Sequence, residues 1–300
     1  MQSNYKNFIG LGVAVITPFN EYKVDFSSLK RMIDHVIDGG VNYLVILGST
    51  GEAATLSANE QKEILDFAID TNRGRVPLVA GCFNDTDTNS LTKRLREYDF
   101  NGIDALLISS PSYVKPTQDG IFEHYKHVSL NSPLPVILYN VPGRTASNIQ
   151  WQTTIKLAKE FKNIIGIKEA SGNISQFTYL LKNKPKEFFV SSGDDESCLA
   201  TTCLGGDGVI SVIANAYPKL YSNMIKAALT GNLKEARKLN NATYPLHQYL
   251  YAEGNPTGIK GACNILGLCR RETRLPLMPI SDGNYSNMKS AMSKIDKIKL

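Results

Sequence analysis

The chain has few of the residues that build disulfide-stapled or zinc-stapled folds. Its 300 residues include only five cysteines and four histidines. The cysteines are odd in number and no two form a CxxC pair, so neither a disulfide framework nor a structural zinc site is predicted. We expect reduced, mostly buried thiols at Cys82, Cys198, Cys203, Cys263 and Cys269.

The sequence also lacks an apolar run long enough to cross a bilayer. Its first residues, MQSNYKNFIGLGVAVITPF, do not show the charged, apolar and small segments of a secretory signal peptide. We therefore expect a cytoplasmic protein with no membrane partner.

Positive charge is not concentrated as in a nucleic-acid-binding protein. The formal net charge of +5 is spread along the chain, except in the C-terminal stretch KSAMSKIDKIKL. Nucleic-acid binders usually group basic residues with aromatics on one surface, so we interpret this stretch as a solvated helix face and predict no nucleic-acid partner. Its basic residues are Lys289, Lys294, Lys297 and Lys299.

The histidines do not predict a metal site. His124 and His127 are three residues apart in FEHYKHV, a spacing that can share a metal ion, but His35 and His247 fall in apparently unrelated helices. We interpret the first two as ordinary helix-surface residues.

Eight short apolar runs recur along the chain. Near-continuous runs of this kind are typical of parallel strands that are buried on both faces. They are GVAVIT (12–17), YLVIL (43–47), PLVAG (77–81), ALLIS (105–109), PVILY (135–139), IIGIK (164–168), FFVSS (188–192) and GVISV (208–212).

Between the runs, apolar residues recur at helical spacing, for example at Leu29, Met32 and Val36. The regular alternation predicts an α/β protein with a closed (β/α)8 barrel, the TIM-barrel architecture. An open, doubly wound sheet is the rival, but no GxGxxG follows an early strand. We expect residues 1–230 to form the catalytic barrel and residues 231–300 to form a helical extension packed on it.

In such a barrel, chemistry is found at the C-terminal ends of the strands, and the sixth run ends in Lys168. An apolar setting disfavours a charged ammonium, so a lysine there can act as a neutral amine toward a carbonyl group. This predicts Schiff-base chemistry. The alternative, a pair with Glu169, is poorly placed because successive strand side chains point to opposite faces.

Other strand ends carry polar residues that suit the same reaction. The turn GSTGE offers Ser49 and Thr50 as donors to a keto-acid carboxylate, and YNVPGRT offers Tyr139 for proton transfer. Tyr113 follows the fourth run and can join a proton relay. Arg144 can hold a second carboxylate through a bidentate fork.

Taken together, these motifs resemble the dihydrodipicolinate synthase family of pyruvate-dependent class I aldolases. The resemblance runs from GLGVAVITPF through GSTGEAATLS, YNVPGRT, GIKEASG, SSGDDE and GGDGVISV to EGNPTGIKGA. It implies a lyase of lysine and diaminopimelate biosynthesis that condenses pyruvate with L-aspartate-4-semialdehyde. It also implies a homotetramer, a dimer of dimers, with no metal or organic cofactor.

The resemblance assigns roles to individual positions. Lys168 matches the Schiff-base lysine, Tyr139 the proton-transfer tyrosine and Ser49 the relay hydroxyl. Tyr113 matches a relay tyrosine that reaches across from a neighbouring subunit. The remaining matched positions bind substrate: Thr50 for the pyruvate carboxylate, Arg144 for the semialdehyde carboxylate, and Gly193 and Ile210 as pocket lining.

One departure from the family pattern bears on the choice between alternatives. The family usually has threonine where Ser49 stands, and the related sialic-acid lyases also use serine, so an N-acetylneuraminate lyase or keto-deoxy-sugar aldolase is an alternative. Arg144 argues against it, because a sugar aldehyde has no second carboxylate. A non-catalytic barrel that binds a keto acid is a second alternative.

Another departure concerns regulation. Lysine-inhibited members place an acidic residue and an aromatic residue where this chain has Thr88 and Ser112, and only Asn84 of the expected polar set is present. We therefore expect weak or absent inhibition by lysine.

Overall fold

A computed structural model describes residues 5–295 of the chain, and its centre is a closed parallel barrel. Within that range the strands are β1 Gly10–Ala14, β2 Phe19–Asn20, β3 Lys23–Val24, β4 Tyr43–Ile46, β5 Leu78–Ala80, β6 Ala105–Ser109, β7 Val136–Asn140, β8 Ile164–Glu169, β9 Phe189–Ser192 and β10 Gly208–Ser211. The barrel runs β1-β10-β9-β8-β7-β6-β5-β4, and β4 pairs with β1 to close it. The strands β2 and β3 form a separate antiparallel hairpin.

Helices follow the barrel strands and continue into a C-terminal extension. They are α1 Phe26–Asp38, α2 Ala58–Asn72, α3 Thr88–Glu97, α4 Gln118–Asn131, α5 Pro142–Thr145, α6 Trp151–Glu160, α7 Ile174–Asn183, α8 Cys198–Cys203, α9 Pro218–Leu229, α10 Leu233–Tyr251, α11 Thr257–Ile265 and α12 Asp282–Ile295. Local sequence determines where some of these helices begin. Asp25 caps α1 by accepting from the Ser28 amide, and Ser57 and Glu60 form a capping box at the start of α2.

Each of the eight predicted apolar runs coincides with a barrel strand, so the predicted (β/α)8 fold is confirmed. The hairpin of β2 and β3 was not predicted, because two residues per strand are too few to show an alternating pattern. Three helices occupy the predicted extension. The division of the chain at residues 230 and 231 stays a prediction.

The interior of the barrel is filled by aromatic rings for which two glycines make room. Phe8 contacts the Tyr43 ring edge-on, with centroids 5.4 Å apart, and stacks on Phe189 at 5.9 Å. A Cβ atom on Gly12 would lie 2.3 Å from the Tyr43 ring, and one on Gly166 would lie 2.3 Å from the Phe189 ring. The rings therefore require glycine on the neighbouring strands.

The predictions for the cysteines, the C-terminal lysines and the histidines have different outcomes. All five cysteines are free and only Cys203 is exposed, which confirms the expected thiols. Lys289 and Lys294 are exposed on α12, whereas Lys297 and Lys299 lie outside the described residues. His127 is exposed, but the interpretation of His124 as a surface residue is wrong.

His124 is 4% exposed, because it lies on the face of α4 that packs against α3, where its Nδ1 pairs with the Thr88 hydroxyl at 2.8 Å. Burial lowers its pKa to about 4, so the imidazole is neutral at pH 7. Within residues 5–295, no group of three or more histidine, cysteine or acidic side chains is arranged to hold a metal ion. In the same range, the helices are too short or too polar to cross a membrane.

We predict that Gly166→Ala lowers the free energy of unfolding by about 1–3 kcal/mol, because the added methyl group overpacks against the Phe189 ring. Urea unfolding followed by circular dichroism measures the change. Gly283→Ala is the matched control, since a Cβ there meets nothing within 4 Å. Equal stabilities of the two variants would contradict the packing argument.

Candidate active site

Two sequence-predicted residues meet at the C-terminal end of the barrel. Lys168 on β8 is directly in register with Tyr139 on β7. The lysine is 4% exposed, and its Nζ lies 4.5 Å from the centroid of the Tyr139 ring. The amine and the phenol ring therefore share one buried environment, as the strand-end argument predicted.

Lys168 has no carboxylate partner in the part of the chain that the structure describes. None of the ion pairs formed by residues 5–295 includes it. The adjacent Glu169 instead accepts hydrogen bonds from the side chains of Asn140, at 2.9 Å, and Gln176, also at 2.9 Å. The Glu169 carboxylate is therefore engaged elsewhere, and the Tyr139 ring is the group that lies beside the Lys168 amine.

Gly193 lies against this lysine, whereas Ile210 is placed only in the surrounding barrel interior. A Cβ atom on Gly193 would come within 2.9 Å of both Cγ and Cε of Lys168, so a larger residue would displace the lysine side chain. Ile210 is fully buried on β10 and belongs to the same interior cluster as Tyr139.

The turn after β4 carries Ser49 and Thr50. Its backbone forms a 3-10 turn over Ser49–Gly51, after which Glu52 adopts the left-handed conformation at φ +55°. The Thr17 hydroxyl donates to the Gly51 carbonyl at 2.7 Å. A non-glycine residue in this conformation carries strain, so surrounding contacts must hold the turn in place.

The strongest of those contacts is an ion pair between Glu52 and Lys260, whose side chains are both fully buried. Lys260 belongs to α11 and also donates to the Glu272 carbonyl at 2.8 Å. Burial lowers the pKa of Lys260, and the Glu52 carboxylate opposes that shift. The second carboxylate oxygen of Glu52 accepts from the Arg274 amide at 3.1 Å. The C-terminal extension thus anchors the turn.

Asn255 joins the two predicted carboxylate-binding residues. Its side-chain Nδ2 donates to the Thr50 hydroxyl at 2.9 Å, and its backbone carbonyl accepts from Nη2 of Arg144 at 3.2 Å. The Thr50 oxygen therefore accepts from Asn255 while its own proton remains available for a ligand. The Oδ1 atom of Asn255 is buried and has no hydrogen-bond partner within residues 5–295. Sequence reasoning gave Asn255 no role, although it stands in the motif EGNPTGIKGA.

A cavity of about 330 Å³ opens beside these residues. Ser49, Tyr139 and Arg144 all contribute to its lining, but no hydrogen bond joins Tyr139 to Ser49 within the described part of the chain. Tyr113 does not line the cavity, and its side chain is 92% exposed. Its amide donates to the Thr145 carbonyl at 3.1 Å, which ties its loop to α5.

Arg144 stands at this cavity without an acidic partner among residues 5–295 and is exposed. The site therefore combines a buried amine, a phenol, hydroxyl donors and a guanidinium, and neither the amine nor the guanidinium has an acidic partner among residues 5–295. These groups suit the reaction of a small anionic keto compound with a second carboxylate-bearing molecule.

The glycine-rich turn LGGDG (204–208) does not belong to this site. It precedes β10 and so lies at the opposite end of the barrel from Lys168. Gly208 there contacts Gly10, whose carbonyl would be 1.9 Å from an added Cβ. Gly208 therefore allows β1 and β10 to pack closely against each other.

A family model and a curated relative match nearly the whole chain. Residues 7–295 match the model of the dihydrodipicolinate synthetase family. A 4-hydroxy-tetrahydrodipicolinate synthase from Flavobacterium psychrophilum is 47% identical over 276 residues, covering 92% of this chain and 94% of the relative.

Solved structures lead to the same family. A dihydrodipicolinate synthase from Acinetobacter baumannii in complex with pyruvate matches with a TM-score of 0.92 and 36% identity, covering 97% of this chain and 99% of that one. The enzyme from Thermotoga maritima matches with a TM-score of 0.93 and 33% identity, over 97% and 99% of the two chains. This chain is a member of the dihydrodipicolinate synthetase family.

Proposed function

We propose that this chain is a 4-hydroxy-tetrahydrodipicolinate synthase, a lyase that condenses pyruvate with L-aspartate-4-semialdehyde. The observation that carries the proposal is Lys168, a buried lysine that lies against the Tyr139 ring and has no carboxylate partner among the described residues 5–295. A relative from Flavobacterium psychrophilum that is 47% identical carries this activity as its name.

The reaction proceeds through a covalent intermediate on Lys168. The Nζ atom attacks the keto carbon of pyruvate, and loss of water from the carbinolamine gives an iminium ion. Loss of a methyl proton gives an enamine, which attacks the aldehyde carbon of the semialdehyde and forms the new carbon–carbon bond. The amino group of the adduct then attacks the iminium carbon, which closes the ring and releases Lys168.

Proton transfers in these steps are assigned to three hydroxyl groups. Tyr139 exchanges protons with the carbinolamine because its ring lies beside the Lys168 amine. Ser49, which shares its cavity, connects it to the next group in the relay. Tyr113 completes the relay from a neighbouring subunit, and its 92% exposure in the single chain is compatible with that role.

Substrate carboxylates are bound at the two residues that Asn255 joins. The Thr50 hydroxyl donates to the pyruvate carboxylate, and the Arg144 guanidinium holds the semialdehyde carboxylate. Gly193 and Ile210 leave the space in which the intermediate forms. The chemistry uses only side chains of the protein, in a homotetramer built as a dimer of dimers.

We predict that borohydride reduction in the presence of pyruvate adds a reduced pyruvyl group to Lys168 and to no other lysine. Lys260 is an internal control, because it is equally buried but paired with Glu52. Peptide mass spectrometry locates the adduct, and Lys168→Ala should give none. An unmodified Lys168 in the wild-type protein would contradict the proposed chemistry and favour a keto-acid-binding barrel.

We predict that Arg144→Ala lowers kcat/KM for the semialdehyde by about 100-fold to 10,000-fold, since it removes two charged hydrogen bonds worth about 1.5–3 kcal/mol each. Trapping of pyruvate on Lys168 should be unchanged. Arg144→Lys should recover part of the activity, because it keeps the charge but loses the fork. Nearly intact turnover in Arg144→Ala, or faster pyruvate consumption with N-acetylmannosamine than with the semialdehyde, would favour the sugar-aldolase alternative.

We also predict weak or absent inhibition by lysine. Thr88 is occupied by its bond to His124, Ser112 contacts Thr86, and neither supplies a carboxylate for the ammonium of lysine. The nearby Asp85 lies 3.6 Å from Arg94, which offsets its charge. Initial rates measured over a lysine titration test this, and a rate that collapses well below the substrate concentrations would refute it.

A further inference from the structure

The two strands that carry Lys168 and Tyr139 also carry a second, buried polar pair on their outer face. Along β7 and β8, Tyr139 is in register with Lys168, and the next residues, Asn140 and Glu169, are in register with each other. Because strand side chains alternate in direction, this second pair faces away from the reacting groups. Asn140 is fully buried and Glu169 is 3% exposed.

The Glu169 carboxylate is held entirely by neutral donors. Asn140 Nδ2 donates to Oε2 at 2.9 Å and to Oε1 at 3.2 Å. Gln176 Nε2 donates to Oε2 at 2.9 Å, and the Ser171 amide donates to Oε1 at 2.7 Å. No ion pair among residues 5–295 includes Glu169. A buried carboxylate is costly unless hydrogen bonds satisfy it, and here both oxygens are satisfied.

A closed network of amides surrounds the carboxylate. Asn140 Nδ2 also donates to Asn148 Oδ1 at 2.8 Å, and Asn140 Oδ1 accepts from the Ile149 amide at 2.9 Å. Asn148 and Gln176 bond each other through both amide groups, at 3.1 and 3.2 Å. The network therefore links β7, β8, the segment before α6 and the first turn of α7.

The network needs a carboxylate at position 169. Two acceptor oxygens receive bonds from Asn140, Gln176 and Ser171, whereas a glutamine would turn an NH2 group toward one of these donors. A single donor without an acceptor inside a connected, buried network weakens the other hydrogen bonds of that network. Since Asn140 follows Tyr139 and Glu169 follows Lys168, loosening this outer pair frees the ends of both strands.

We infer that Glu169 is a positioning residue: through Asn140 it fixes the placement of the Lys168 amine relative to the Tyr139 ring. This inference rests on the proposed Schiff-base function. It assigns Glu169 no contact with substrate and no proton to transfer. The carboxylate acts only by holding the outer faces of β7 and β8 in register.

The test swaps the amide of Asn140 and the carboxylate of Glu169 between the two positions. Glu169→Gln should lower kcat about 100-fold, the loss that a misplacement of about 1 Å causes, with little change in KM for pyruvate. Asn140→Asp should also lose activity, because it sets two buried carboxylates side by side. Asn140→Asp combined with Glu169→Gln should recover kcat to within about tenfold of wild type, since the pair then bonds with reversed polarity.

The surrounding amides permit this reversal. If Asn148 and Gln176 each rotate by a half-turn, Asn148 donates to the new carboxylate at position 140 and Gln176 accepts from the new amide at position 169, so every partner is matched again. Asp207→Asn is the control for general loss of stability. It removes a carboxylate that bonds Lys184 and the Val190 amide at the opposite end of the barrel, and it should lower the thermal midpoint without changing kcat.

The outcomes separate the inference from the proposed function. A wild-type protein that traps no pyruvate on Lys168 overturns the proposed function. If wild type traps pyruvate and Glu169→Gln keeps kcat within about twofold, the positioning role alone is overturned. It is also overturned if the double variant folds with a wild-type thermal midpoint but remains as inactive as Glu169→Gln.

Discussion

The buried ion pair between Glu52 and Lys260 is the interaction on which the site depends most. It ties the left-handed turn that presents Ser49 and Thr50 to α11, a helix more than 200 residues away in sequence. Removing one partner of such a pair typically costs about 3–5 kcal/mol, because the other charge is left buried and uncompensated. The C-terminal extension is thus part of the site, since it also supplies Asn255 to Thr50 and Arg144.

Lys168 and Lys260 show how one residue type takes two roles under similar burial. Lys260 has a carboxylate and a carbonyl within bonding distance, so its charge is held and it stabilises the fold. Lys168 has a phenol ring beside it and belongs to no ion pair among residues 5–295, and it is the proposed Schiff-base residue. The difference comes from the residues that surround each lysine and not from the lysine itself.

Because side chains alternate along β7 and β8, the proposed catalytic residues lie on one face of these strands and the proposed positioning network lies on the other. The inner residues, Tyr139 and Lys168, face the barrel interior, while Asn140 and Glu169 on the outer face join a network that extends to α7. Both pairs are set by the same backbone register. An error in that register would move all four side chains to the wrong face.

The sequence by itself determined the eight strands, their helices and the strand-end residues, because strands buried on both faces must be apolar throughout and a lone lysine at the end of one is conspicuous. It also indicated the family through motifs that cover nearly the whole chain. Tertiary structure alone decided which distant residues meet. Asn255 reaches Thr50 across 205 positions, and His124 is buried because α3 covers it. Local patterns cannot encode such contacts, since they depend on how the barrel closes and on which faces of separate helices come together.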